Sequence, residues 1–439
     1  VPVNTPKTQL NAQGATLRIG TGARFGFIDD PDYFFFNDGE AGLFTEASFS
    51  DSIYRADGFP FPHGTLLLRD ATGELAENWP FIESLNLGVM FGKLRYNQSI
   101  SHDFYWATSE ILDTVASDHI SGSQLWTLLS RYRKLDGGHS RSFGYSSASA
   151  LGTPLKTVIN TIVSDYDFSK VQIDGLGNPG GILNSDLWYQ CNEFDFEFLA
   201  RHADIAVNSN NSPYLTFINL RGEFYFDSLK NLESQKVMPQ LRYKMSITPD
   251  RQLDTSQIQE YGVVHAGVPF GESVYRSQFY ALRPDGGYEL VEATPKTSYV
   301  APTVQPREIG TSDRTYMVRN TDLGLLRNIE TYGVLDNKNH QKNYEGWMAS
   351  RHLSALTAHR LRAVVHFNQE AVAGRTMEID IKGPSGKHSM YAGKWLIGAS
   401  RHVFTGDQRL LMTQMELVRS GMKINTGTRT LAKIQQDLV

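Results

Sequence analysis

The sequence carries a single cysteine, Cys191, which excludes an intrachain disulfide framework and any cysteine-rich zinc module. It has no surplus of positive charge: 42 lysines and arginines face 47 aspartates and glutamates, for a formal net charge of −5. General nucleic-acid binders and membrane-surface proteins carry a clear basic excess, so both classes lose ground. Nowhere do apolar residues run for the roughly 18 positions that a spanning helix needs. The longest apolar stretches, such as residues 85–91, are broken by Asn86 and Gly88. The opening residues, Val1 to Lys7, lack the basic segment and apolar core of a secretory leader. The expectation is a soluble chain with no membrane-spanning segment, folding without an oxidising compartment.

What is present suits a folded protein. Of 439 residues, 40% are hydrophobic and 20% charged, a balance that fits two to four domains rather than a disordered chain. Much of the chain reads as short strands punctuated by Gly, Pro, Asn and Asp, at residues 15–27, 65–69 and 86–96 and again at 377–381, 394–397 and 411–418. Asp70 to Gly73 reads as a turn. At residues 241–247 the alternation puts Leu241, Tyr243, Met245 and Ile247 on one face and Arg242, Lys244 and Ser246 on the other.

Helices are fewer. Thr153 reads as an N-cap with Pro154 in the first turn, followed by a stripe of Leu155, Val158, Ile159, Ile162 and Val163. Asn192 reads as the cap of the next helix, with Asp195 returning the hydrogen bond and Phe194, Phe198, Leu199 and Ala203 as its buried face. Residues 122–134 repeat the helical pattern through Leu125, Leu128, Leu129 and Tyr132. Residues 344–366 form the longest helical candidate, through Trp347, Met348, Leu353, Leu356 and Leu361. Between 284 and 343 prolines recur, among them Pro295, Pro302 and Pro306, and the stretch reads as extended linker or insertion.

Signatures of chemistry are missing. Gly383, Gly386 and Lys387 echo a phosphate loop, but the glycines are too close for the Walker spacing and a turn between strands fits better. No Gly-x-Ser-x-Gly elbow exists. His352, His359 and His366 stand seven apart, which on a helix separates neighbours by about 10 Å, too far to share a metal ion. Asp29, Asp30, Asp32, Asp38 and Glu40 form an acidic cluster, yet Phe34 stands where an EF-hand needs a ligand, so a solvated loop is expected. Cys191 precedes a helix start, but no histidine can be assigned to it and a small core residue is the expected role. A carboxylate pair for glycoside hydrolysis needs closeness only in space, and nothing singles one out. No catalytic, cofactor-binding or metal-binding residue is assigned, and no cofactor.

Two stretches carry a resemblance. Trp188 to Arg201 reads Trp-Tyr-Gln-Cys-Asn-Glu-Phe-Asp-Phe-Glu-Phe-Leu-Ala-Arg, followed by Arg221-Gly222-Glu223-Phe224-Tyr225-Phe226. Near the end, Gly393-Lys394-Trp395-Leu396-Ile397 precedes His402 and then residues 411–419, Leu-Met-Thr-Gln-Met-Glu-Leu-Val-Arg. In order and spacing these resemble the central hub proteins of contractile phage-tail baseplates, a family that takes in T-even-type hubs, the VgrG proteins of type VI secretion and the late control protein D group. Taken singly, each of these residues also fits plain packing, with His402 a hydrogen-bonding residue rather than a ligand. A short echo between Gly92-Lys93-Leu94 with Ser101-His102-Asp103-Phe104 and Gly393-Lys394-Trp395 with Ser400 to Phe404 fits the two similar barrels of that family.

The resemblance implies a mainly β fold with α+β parts: two tube-like β-barrel domains, an α/β domain and a peripheral insertion. The first barrel would span residues 1–145, the α/β hub domain 146–235, and a split second barrel 236–256 with 363–422. The insertion, with its Pro-rich linker and long helix, would take 257–362, leaving 423–439 as a C-terminal tail that could dock on a spike. It further implies a non-enzymatic homotrimer in the virion baseplate, assembled in the host cytoplasm, that adapts the sixfold tail tube to the threefold spike. Its partners would be itself, a trimeric spike protein, the tail tube protein, the tape-measure protein and surrounding wedge proteins, with DNA only passing through the lumen. Because basic walls would hold phosphates, lumen-facing positions are expected to be mainly Ser, Asn, Asp, Glu and Gly. Two other classes stay open: another tail ring, either distal or tube-terminating, and a β-rich carbohydrate-active enzyme.

Overall fold

The computed structural model describes residues 16–21, 34–37, 44–54, 61–70, 86–93, 98–111, 122–137, 140–146, 153–174, 184–185, 187–206, 212, 214–244, 258–265, 277–282, 288–293, 331–332, 359–381, 391–405 and 410–419. The fold is mainly β with α/β parts.

The N-terminal part supplies β1 (Thr16–Thr21), β2 (Phe34–Asn37), β3 (Phe44–Ser52), β4 (His63–Asp70), β5 (Asn86–Lys93), β6 (Gln98–Ile111) and β7 (Gly122–Ser130). β7 corrects the helix expected there. Leu125, Leu128 and Leu129 fit a helical stripe, but Gln124, Trp126, Leu128 and Ser130 are the buried set, a period of two. Ladders to β4 and β6 on both sides complete the strand and override the local pattern. A 3₁₀ turn, Arg131–Arg133, follows, capped by Ser130 Oγ accepting from the Tyr132 N–H, and runs into α1 (Lys134–Gly137).

Next come β8 (Ser140–Ser146), β9 (Thr153–Pro154), α2 (Leu155–Val163), β10 (Lys170–Ile173), β11 (Asn184–Ser185), β12 (Leu187–Phe194), α3 (Asp195–Ile205), β13 (Tyr214–Ile218), β14 (Glu223–Ser228) and α4 (Leu229–Ser234). The stripe expected on α2 is buried throughout. Its start differs: Thr153 and Pro154 pair with Ser185 and Asn184, and Pro154 is the cap residue. Phe198, Leu199 and Ala203 of α3 join the α2 stripe, Phe224 and Phe226 in one core. That core lies against the three-stranded sheet β10-β14-β13, in which β10 runs parallel to β14 and β13 antiparallel.

The remaining elements are β15 (Arg242–Lys244), β16 (Ile258–His265), β17 (Ser277–Leu282), β18 (Tyr288–Ala293), β19 (Thr331–Tyr332), β20 (His359–His366), β21 (Thr376–Asp380), β22 (Gly393–Thr405) and β23 (Leu410–Arg419). β15 shows the expected alternation, with Tyr243 buried between exposed Arg242 and Lys244; residues 245–247 lie outside the described residues. β18 and β19 form a small sheet with β17, within the stretch read as irregular. β20 is the second correction to a helix: Leu361, Ala363 and Val365 alternate into the core, held by β16 and β23 on either side. Residues 344–358 lie outside the described residues, as do 71–73 and the Gly383–Lys387 segment. β16 falls within the span assigned to the insertion, yet it is a strand of the main sheet.

Among the described residues thirteen strands share one sheet. Its path runs β16-β20-β23-β22-β3-β4-β7-β6-β5-β1-β2, with β21 added on β22 and β15 on β21. The N-terminal and C-terminal halves are thus hydrogen-bonded to each other, β22 pairing antiparallel with β3 from Ala399↔Ser52 to Thr405↔Glu46. The Gly-Lys echo is not a structural equivalence. Gly92 and Lys93 end one strand and His102 lies on the next, whereas Gly393 and His402 share the single strand β22.

Candidate assembly interface

The hub-like motif builds a corner. Gln190 on β12 donates through Nε2 to the Glu193 carbonyl at 2.9 Å and to Asp195 Oδ1 at 2.8 Å. Asn192 takes φ of 49°, the left-handed region that Asn tolerates, and the β12–β8 register slips there between Cys191 and Glu193. Asn192 is therefore a bulge residue rather than the helix cap expected. The cap is Phe194, whose N–H donates to Glu197 Oε2 at 3.1 Å. Glu193 takes Arg201 from the next helical turns in a two-pronged bridge at 3.0 and 2.8 Å. The buried Asp195 is gripped by Arg141, 2.7 Å from both carboxylate oxygens, and accepts from Tyr166 Oη at 2.7 Å. Each polar letter of the motif aims α3 off β12. Cys191 sits in the backbone of β12, opposite Ser142.

A second set of buried polar groups ties the parts together. Asp51 on β3 accepts from the Leu220 N–H at 2.8 Å, the Ala373 N–H at 3.1 Å and Ser400 Oγ at 2.6 Å. One carboxylate thereby joins the N-terminal half-sheet, the β13–β14 turn, the loop before β21, and β22. Burial pushes its pKa up to about 6, against the pull of those donors. Glu223 on β14 is held by Arg375, by Asn219 Nδ2 at 2.8 Å and by Tyr225 Oη at 2.8 Å. Burial opposes its charge, yet Arg375 and the hydrogen bonds outweigh it and lower the pKa. Arg221 bridges to Glu370.

His102 on β6 has its Nδ1 3.0 Å from the Leu220 carbonyl and its Nε2 2.7 Å from Ser130 Oγ. A serine beside a histidine suggests a nucleophile pair, but Ser130 is 0% exposed and also accepts from Tyr132 N. Burial, despite the Leu220 carbonyl, drives the His102 pKa down to about 3. This imidazole is a neutral strut. His402 is likewise fully buried, its Nδ1 2.9 Å from Thr413 Oγ1, with its pKa pushed to about 3 by burial. Its ring lies 5.4 Å from both Phe91 and Phe367. Among the described residues no group of three or more His, Cys, Asp or Glu could hold a metal ion, and no helix is long and apolar enough to cross a membrane. His359 and His366 lie on strand β20; His352 and the 29–33 and 38–40 acidic residues lie outside the described residues.

The two faces of the main sheet differ in kind. Leu128, Gly64, Phe49, His402, Thr413 and Val365 form one cross-strand row, and this inner face is buried. The outer face carries the row Thr127, Thr65, Ser48, Val403 and Met412, and beside it Tyr105, Leu129, His63, Ser50, Arg401, Gln414 and Val364. Ser48 and Thr65 hydroxyls lie 2.7 Å apart. Both rows cross the β3–β22 seam without a break. Along the seam lies a cleft of about 580 Å³, whose lining includes Ser50, His63, Arg362, Arg401, Gln414 and Glu416.

No protein-family model and no curated protein matches this sequence. Solved structures match over almost the whole chain. A tail protein from Neisseria meningitidis MC58 aligns with TM-score 0.52 at 9% identity, covering 92% of this chain and 97% of that one. The 43 kDa tail protein of prophage MuSo2 from Shewanella oneidensis aligns with TM-score 0.52 at 10% identity, covering 93% and 99%. A type VI secretion component of E. coli aligns with TM-score 0.42 at 7% identity, covering 86% and 73%, too distant to carry an argument. The fold is that of these tail proteins, as the resemblance in the motif and closing strands implied.

Proposed function

We propose that this chain is the central hub of a contractile-tail baseplate, a homotrimer that joins the sixfold tube to a threefold spike. One observation carries the reading: the two halves of the chain share a single sheet through β3 and β22, inside a fold that matches tail proteins end to end. Three such chains present six half-sheet units, which lets one face meet a sixfold ring while the assembly keeps threefold symmetry. Among the described residues neither β16 nor β2, at the two ends of the path, has a second strand partner. Such edges pair with further strands, and head-to-tail contacts of this kind close a ring when the rotation allows.

On this reading the outer face of the sheet lines the channel. Its serines and threonines fit a wall that DNA slides past, whereas Leu129, Val403, Arg362 and Arg401 depart from the expected run of Ser, Asn, Asp, Glu and Gly. Its role is structural, with the buried Ser130–His102 pair used for packing. It works in the virion tail, after assembly in the host cytoplasm, and its partners are the spike, tube, tape-measure and wedge proteins. The test is reconstitution from purified parts. The hub reading expects the chain to capture a trimeric spike protein and, by its other face, tail tube rings. Capture of neither, or closure into a hexameric ring, would remove it in favour of another tail ring.

A further inference from the structure

The seam cleft holds charge that the fold does not use. It lies on the outer face of the main sheet, about 580 Å³ in volume, and is lined from β20, β23, β22 and β3. Arg362 on β20 stands opposite Glu416 on β23, and Arg401 on β22 stands opposite Gln414, two residues along that same strand. With strands about 4.8 Å apart, the two arginines flank β23 at roughly 12 Å between their backbones, near enough for both guanidiniums to reach one occupant. Arg362 is exposed, and its cross-strand carboxylate, Glu416, is engaged by Arg360 at 3.7 Å. Among the described residues no acidic group pairs with Arg362. Arg401 meets Glu46 at 3.6 Å, but both side chains are about half exposed, and such a pair holds weakly. Between the arginines the lining is an exposed Gln414 with the apolar side chains of Val364 and Ala399. Beside Arg362, Gly262 of β16 leaves the cleft open, because a side chain built there would meet nothing within 4 Å.

We infer that this cleft is a docking site for an acidic peptide segment of a partner protein. Its carboxylates are taken by Arg362 and Arg401, whose guanidinium forks match a carboxylate with two parallel hydrogen bonds. The Gln414 amide meets the peptide backbone between them, and Val364 and Ala399 receive a small apolar side chain. The volume is that of a cleft for a few residues. A peptide suits it better than a nucleic-acid backbone, which gains affinity by neutralising many phosphates, whereas here Glu416 and Glu46 stand among the arginines. On the hub reading the cleft opens into the channel, but the inference rests on the cleft's own geometry and holds for any ring that leaves this face open.

The experiment titrates the full-length chain into a short fluorescent peptide of alternating aspartate and leucine and reads its anisotropy. The chain should bind it, with affinity falling as salt rises. Arg362→Gln and Arg401→Gln should each weaken binding about tenfold, the loss of a charge-assisted hydrogen bond, and Arg362→Lys should weaken it less because the fork is gone but the charge remains. Arg242→Gln, at an exposed arginine of β15 outside the cleft, should leave binding unchanged. The doubly reversed chain, Arg362→Glu with Arg401→Glu, should instead take a peptide of alternating lysine and leucine, which shows that the variants are folded. A wild-type chain that does not bind the acidic peptide, binding that the cleft variants leave unmoved, or displacement of the peptide by a short DNA duplex overturns the inference. None of these outcomes touches the hub reading, which the native mass of the chain tests separately.

Discussion

At the residue scale, the account turns on buried polar groups that join segments distant in sequence. Asp51 reaches Leu220, Ala373 and Ser400, so Asp51→Ala strands three donors while also relieving the cost of a buried charge. With about 1–3 kcal/mol for each unsatisfied buried group, the expected net loss is about 2–4 kcal/mol in urea unfolding. The buried histidines govern acid behaviour. His102, His202 and His402 have folded pKa values near 3, below the 6.5 of a free imidazole, so the unfolded chain takes up their protons first. Their stability is present above pH 6.5 and is lost as pH falls from there towards 3. Asp51, raised from 3.8 to about 6, runs the other way: its contribution is full below pH 3.8 and is lost as pH rises through 6. Three groups outweigh one, so unfolding free energy should drop by a few kcal/mol between pH 7 and pH 5, on the order of 1.4 kcal/mol per pH unit per group. A flat profile would contradict the burial of these imidazoles. Asp51→Asn should steepen the loss, because it removes the opposing group.

At the element scale, β7 allows a direct test of strand against helix. On a helix Leu128 and Leu129 would share the buried stripe; on the strand Leu128 is buried and Leu129 faces outward. Leu128→Ala should cost about 2–5 kcal/mol, and Leu129→Ala well under half of that, read by thermal or urea unfolding. Equal costs would restore the helix. Gly374 is a second case. Its φ is +83° and a Cβ there would fall 2.4 Å from the Phe217 ring, so Gly374→Ala should destabilise through both strain and overlap, by about 1–3 kcal/mol or more. These elements mark what could be read in the sequence. The α2 stripe and the β15 alternation were legible because a single period explained them. β7 and β20 were not, since their leucines satisfy both periods and the choice was made by strands far away in the chain. The motif at Gln190 to Arg201 was visible as a pattern, but its job was hidden: the bulge at Asn192 and the grip of Arg141 on Asp195 depend on β8. Asp51 gave no signal at all, because its partners lie 169 to 349 residues away.

At the scale of the whole molecule, the β3–β22 pairing makes one continuous sheet of two half-chains of different sequence, as the proposed wall requires. Its buried face is sealed by aromatic packing, with Phe49 and Phe91 stacked at 4.5 Å, and on the proposed reading its outer face lines the channel. Among the described residues β16 and β2 end the strand path, and on the proposed reading they are the edges available to further strands. The most direct test of this account is the native mass of the purified chain in solution. The account predicts a species of three chains, about 148 kDa from a 49.2 kDa chain. A persistent monomer or a hexamer would contradict it.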